Sequence, residues 1–207
     1  MLQTTVNRAY TTGFQGQIVR EGPTRGKVAR IASATIGTDP AASTNRMSRA
    51  FGYSADISIP GGTTVAAQEA SVVVGGPTFF GILGHPERYA LFGSASSSLS
   101  PSLDLPLGAE GEFFDMTTGM VIECFNSTTG SYTANFGDQL CFCPAGVSTA
   151  NNPQAMPYGA LFSIAAGAAV PTGMVLIPNA RIMKTVTIGA SSVGSPVSAL
   201  TIVQLTQ

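Results

Sequence analysis

The chain has 207 residues, 44% of them hydrophobic, enough for one sizeable domain with a buried core. Only 10% are charged, against roughly 25% in typical soluble domains, and 24 glycines and 13 prolines punctuate the rest. The ten Lys/Arg and eleven Asp/Glu nearly cancel, which disfavours a dedicated nucleic-acid binder, and three cysteines exclude a fully paired disulfide framework.

The charge is laid out unevenly. Residues 1–50 hold seven of the ten basic residues (Arg8, Arg20, Arg25, Lys27, Arg30, Arg46, Arg49) and two acidic ones (Glu21, Asp39). The first 35 residues lack sustained apolar alternation and carry Gly13, Gly16, Gly22, Pro23 and Gly26. We read residues 1–35 as an extended basic N-terminal arm with one strand over 27–31, and residues 36–207 as a single β-rich domain. A basic arm on a weakly acidic body lies on a surface other than its own core. Residues 1–30 also lack the apolar stretch of a secretory leader, which with the odd cysteine count points to assembly in a reducing cytoplasm.

Strand patterns dominate along the chain. Ile57 and Ile59 precede Pro60-Gly61-Gly62, and the β-branched run at 70–74 stops at Gly75-Gly76-Pro77. Only residues 86–92 (PERYALF) suit a helix, of one or two turns. The Ser-rich stretch 94–101 and the polar stretch 146–157 are expected as exposed loops. Residues 120–125 and 139–143 are expected as strands, able to form a hairpin across the polar stretch 126–138. Residues 160–178 form a 19-residue run without charge, but Gly167, Pro171 and Gly173 break it, so it predicts two buried strands around a Val-Pro-Thr-Gly turn rather than a membrane span. Alternation over 182–188 and the apolar run 197–205 complete an all-β pattern, a sandwich or barrel-like domain.

Catalytic chemistry is sparse. The single histidine, His85, cannot build a histidine metal site, and the C-x-C spacing of Cys141 and Cys143 is not a zinc knuckle. On a strand those two thiols share one face with Phe142 opposite, as buried structural cysteines. No nucleotide-binding glycine loop or nucleophile elbow is present; Gly52-Tyr53-Ser54-Ala55-Asp56 lacks the final glycine. Glu110, Glu112 and Asp115 form the one acidic cluster that glycoside hydrolysis or cation binding would use, and a solvated loop entering a strand at Phe113-Phe114 is the competing reading. Asn126-Ser127-Thr128 matches a glycosylation acceptor by chance in a chain without a leader. We therefore expect no catalytic residues, no metal and no cofactor.

Two stretches carry a resemblance. Residues 78–93 (TFFGILGHPERYALFG) and the run Pro101-Ser102-Leu103-Asp104-Leu105-Pro106-Leu107-Gly108, leading into Glu112-Phe113-Phe114-Asp115-Met116-Thr117-Thr118-Gly119-Met120-Val121, resemble tailed-bacteriophage head-decoration or structural cement proteins. The opening 4–16 is similar to the family's start, and the likeness ends after Gly146. It implies a non-enzymatic virion protein on the outer surface of the capsid that cements neighbouring major capsid protein subunits and stabilises the mature head. The implied partners are the major capsid protein and the chain itself, as a homo-trimer with a dimer as the second form, without membrane or nucleic acid. Arg20, Arg25, Lys27 and Arg30 are then the expected capsid-contact residues of the arm. The alternatives are another virion part (a head-fibre base, minor capsid or neck protein) and a carbohydrate-binding module or hydrolase built on the acidic cluster.

Overall fold

The computed structural model describes residues 13–31, 45–53, 71–84, 105 and 110–206. The expected strand at 57–59, the helix at 86–92, the loop at 94–101 and His85 lie outside the described residues. Those described form an all-β fold of eleven strands: β1 (Arg25–Ile31), β2 (Ala50–Tyr53), β3 (Ser71–Val74), β4 (Phe79–Leu83), β5 (Glu110–Phe125), β6 (Tyr132–Ala134), β7 (Gln139–Phe142), β8 (Leu161–Ile164), β9 (Val175–Ile182), β10 (Val186–Ile188) and β11 (Ser198–Leu205).

Nine strands join in the order β1-β3-β2-β4-β5-β11-β9-β7-β8, and two further pairings, β1–β5 and β5–β8, close this sheet on itself twice. The result is two five-stranded barrels that share β5. Its N-terminal half carries β1 on one edge (Lys27 opposite Phe113) and β4 on the other (Leu83 opposite Phe113). Its C-terminal half pairs with β11 and, through the single parallel bridge Cys124–Leu161, with β8.

Side chains on a strand alternate between faces, and β5 uses both. Phe113 packs in one core cluster with Phe51, Val72, Val74 and Leu83. Met120, Ile122 and Cys124, on the opposite face, pack in the other with Leu140, Phe142, Leu161 and Val203. In the first barrel the Phe113 ring lies 4.9 Å from Phe51 and 5.5 Å from Phe80, in the tilted and edge-on arrangements that aromatic quadrupoles favour.

Several expectations hold. The strands at 27–31, 70–74, 139–143 and 197–205 become β1, β3, β7 and β11, each within two residues. Cys141 and Cys143 pack in one cluster and Phe142 in the other, so the two thiols do share a face. The run at 160–178 gives β8, buried throughout as expected, and the start of β9, where only Ile177 is buried.

Others are corrected. The acidic stretch at 110–116 is strand, because Phe113 and Phe114 on its two faces are both buried and both edges are paired. The 120–125 and 139–143 strands are not a hairpin: β7 pairs with β8 and β9, while Tyr132–Ala134 between them pairs with β10. The alternation at 182–188 breaks after Ile182, where β9 ends, and resumes as β10. The 146–157 loop is not wholly exposed. Asn152, Gln154 and Met156 are buried, and the Asn152 side chain donates to Met156 O (2.8 Å) and accepts from Met156 N (2.9 Å).

Candidate functional site

The segment ahead of β1 is seated on the shared strand. Gly16 N donates to Val121 O (2.8 Å), Val121 N to Gln17 O (2.8 Å) and Val19 N to Gly119 O (2.9 Å). Residues 16–31 thus run antiparallel along one edge of β5, from Val121 down to Glu110, with an interruption at 20–24. Strand alternation then sorts the basic residues. Ala29 and Ile31 turn into the core, whereas Gly26, Val28 and Arg30 face solvent. Opposite Val28 and Arg30 stand Glu112 and Glu110, both exposed.

Arg25 and Lys27 both reach Asp115. Arg25 Nε and Nη2 donate to the two carboxylate oxygens at 2.7 and 2.8 Å, and Lys27 Nζ pairs with Oδ2. Lys27 Nζ also lies 5.1 Å from the centre of the Phe80 ring, which meets Tyr53 edge-on. The Asp115 side chain is 1% exposed, those of Arg25 and Lys27 48% and 37%. Burial pushes the Asp115 carboxyl upward, but the hydrogen bonds and charges of Arg25 and Lys27 outweigh it and hold the group below the usual carboxylate range. The Arg25 pKa rises through the same hydrogen bond and charge.

Of the four residues singled out in the sequence, Arg25 and Lys27 therefore meet at one carboxylate. Arg30 lies on the outer face of the same strand, and Arg20 lies farther along, its side chain over Gly119. The acidic cluster does not converge: Glu110 and Glu112 are exposed, whereas Asp115 lies on the opposite face with its charge engaged. Among the described residues no group of three His, Cys, Asp or Glu is placed to hold a metal.

A second charged node, which the sequence did not reveal, lies where the segment meets β5 and β2. Arg49, 5% exposed, places Nη2 3.6 Å from Glu123 Oε2 and its guanidinium 4.7 Å from the centre of the Phe125 ring. Arg46 Nε lies 4.0 Å from the same oxygen and donates to Gln15 Oε1 at 3.2 Å, tying the N-terminal segment to the node. Ser198 Oγ donates to Glu123 Oε1 (2.8 Å), and Ser48 Oγ accepts from Glu123 N (3.1 Å). The one local signal was a glutamate inside an apolar strand, Met120-Val121-Ile122-Glu123-Cys124-Phe125.

Two motifs are absorbed by the fold. Burial pushes the Cys124 and Cys141 thiols up to about 12, the value of inert core groups, and all three cysteines are buried and unpaired with one another. The Asn126 side chain is buried and donates to Gly130 O (2.6 Å) and Gly189 O (2.8 Å), clamping two loops.

Across the second barrel from β5, the chain carries no Lys, Arg, Asp, Glu or His between residues 139 and 180. Here β8 and β9 flank β7, and the connection between them, residues 165–173, crosses β7 with every residue exposed.

The chain matches the family described as "Structural cement protein (E217 gp24/Pam3 gp6)" over residues 2–206. No curated protein matches it. Among solved structures, a chain of "The capsid of Myoviridae Phage XM1" shares the fold with a TM-score of 0.52 and 9% identity, covering 100% of this chain and 98% of that one.

Proposed function

The chain belongs to the phage structural cement protein family, and from that premise we propose that it binds the outer surface of a phage capsid and clamps neighbouring major capsid protein subunits, stabilising the mature head. Family membership makes it a structural protein of the phage particle and supports a role without catalysis. The observation that carries the finer reading is the charged face along β5: Arg20 and Arg30 lie outward among the exposed Glu21, Glu110 and Glu112, and Arg25 and Lys27 stay part-exposed beside Asp115.

Such a face suits a repeated lattice. Contacts that are weak singly become effectively permanent when a lattice and an oligomer present several together. A ligand that binds only the mature lattice stabilises it by mass action. The exposed, uncharged connection 165–173 suits contact between copies, since small uncharged groups are cheap to desolvate and meet their own image without like-charge repulsion. A homo-trimer on a shell symmetry axis uses it that way. Synthesis in the host cytoplasm accords with three buried cysteines that form no disulfide.

The test replaces Arg20 and Arg30 by Gln, and separately all four of Arg20, Arg25, Lys27 and Arg30 with thermal melting as a check on the Asp115 seat, and measures co-sedimentation with expanded, undecorated shells over a salt series. The account expects weaker docking with a flatter salt dependence. Occupancy equal to that of the unchanged protein at every salt concentration removes these residues from the contact.

A further inference from the structure

Residues 13–24 lie ahead of β1 and outside every named strand, yet they are fastened to β5 at three places. In the middle stand the backbone hydrogen bonds of Gly16, Gln17 and Val19 to Gly119 and Val121, with Ile18 opposite Met120 and packed on its core cluster. Behind them residues 20–24 stand against only Thr117 and Thr118, so the chain bows outward. Thr118 Oγ1 donates there to Arg20 O (3.1 Å) and Glu21 O (3.2 Å), and Gly22 lies so close that an added Cβ would sit 2.4 Å from Thr118 Cγ2. In front, Arg46 Nε donates to Gln15 Oε1 (3.2 Å).

The front fastening is built on a fixed turn. Arg49 N donates to Arg46 O (3.3 Å), Ser48 N to Leu83 O (2.8 Å) and Leu83 N to Arg49 O (3.0 Å), while Met47 is buried in the first core cluster. Ser48 adopts a φ of 64°, in the left-handed region that a serine seldom enters, and its hydroxyl accepts from Glu123 N. A non-glycine residue keeps such a conformation only where its surroundings fix it. The turn therefore holds both Arg46 and Arg49 against Glu123, and Arg46 alone of the two reaches on to the N-terminal segment through Gln15. Loss of the Arg46 guanidinium leaves no buried carboxylate bare, because Glu123 keeps Arg49 and the Ser198 hydroxyl.

We propose that Arg46 and Thr118 are positioning residues, two clasps that close the N-terminal segment on β5 so that it meets the shell already ordered. The closure stands on the geometry alone; its use in docking rests on the shell-docking reading above. Fixing a free backbone costs entropy at every residue, and that cost falls on docking when the segment is loose and on folding when it is clasped. The apparent affinity of such a face is lowered in proportion to the fraction of molecules in which the segment is closed. Arg20 depends on the clasps most directly, since its own carbonyl is the group that Thr118 holds.

The experiment compares the full-length wild type with Arg46→Met, Thr118→Val, the two combined, and the conservative pair Arg46→Lys and Thr118→Ser. It reads hydrogen exchange at the Gly16 and Val19 amides, thermal melting as a check on folding, and binding to expanded, undecorated shells. Each clasp lost is expected to speed exchange at Gly16 and Val19 about fivefold, and both together about 25-fold, while amides inside the two barrels keep their rates. The double variant should bind shells about fivefold more weakly, and the conservative pair should stay within about twofold of the wild type in exchange and binding. Unchanged exchange at Gly16 and Val19 in the double variant refutes the clasps. Exchange that quickens equally throughout the barrels makes the two residues general stabilisers and overturns the proposal. Faster exchange confined to the segment, with shell binding within about twofold of the wild type, removes the clasps from docking. If the wild type itself does not bind, the docking reading falls and takes that use of the clasps with it, while the exchange rates still decide the closure.

Discussion

Replacing Asp115 by Asn tests the ionic seat that holds β1 to the first barrel. Asparagine keeps the volume but offers one acceptor oxygen and no charge to Arg25 and Lys27. Removing one partner of a fully buried ion pair costs about 3–5 kcal/mol. Here the carboxylate is buried but both cations are part-exposed and regain water, so the expected loss is smaller, about 2 kcal/mol at pH 7. For a chain of this size that lowers Tm by roughly 4–8 °C. The pH dependence identifies the cause. The folded protein holds the Asp115 carboxyl below its ordinary range, so the unfolded chain takes up its proton first as pH falls. Its contribution is fully present above the ordinary carboxylate value and is lost as pH drops through the depressed one. Thermal melts of both proteins between pH 7 and pH 3 should show a gap that is widest at neutral pH and narrows once the pH falls below the ordinary carboxylate value. A gap that stays constant over that range would mean the loss comes from packing, and would refute the ionic account.

Two further expectations follow from the packing. Gly52→Ala should destabilise the protein by about 3 kcal/mol or lower Tm by roughly 6–12 °C, because its Cβ would lie 2.3 Å from Gly76 O and 2.5 Å from Thr78 O, both backbone; thermal melting checks it, and a melt within 2 °C of wild type would refute it. The three cysteines should be inert to a thiol reagent at pH 8 in the folded state and all react in denaturant, since burial raises Cys124 and Cys141 to about 12; rapid labelling of the folded protein would contradict their place in the core.

Much of the strand content was legible because it is locally encoded. The apolar run of β11 and the alternation of Cys141, Phe142 and Cys143 report their burial without knowing their neighbours. Glu110, Glu112 and Asp115 disguised the first half of β5, because an outward glutamate and an inward aspartate look alike in sequence. What tells them apart is Arg25, ninety residues away. Pairing was not legible for the same reason: β7 chooses β8 and β9 over the nearer β5, and the shared strand exists only through two closures between distant segments. The basic stretch was visible as charge, but not the placement of Arg25 and Lys27 on one carboxylate, nor Arg46 reaching both Gln15 and Glu123.

The central claim, that this protein cements a phage shell, is tested most directly by the melting temperature of expanded shells with and without saturating amounts of it. The account predicts saturable binding at a fixed ratio to major capsid subunits and a raised shell melting temperature that falls back when the protein is washed off at high salt. Saturable binding with an unchanged melting temperature would contradict cementing, and would leave a protein that decorates the particle without holding it together.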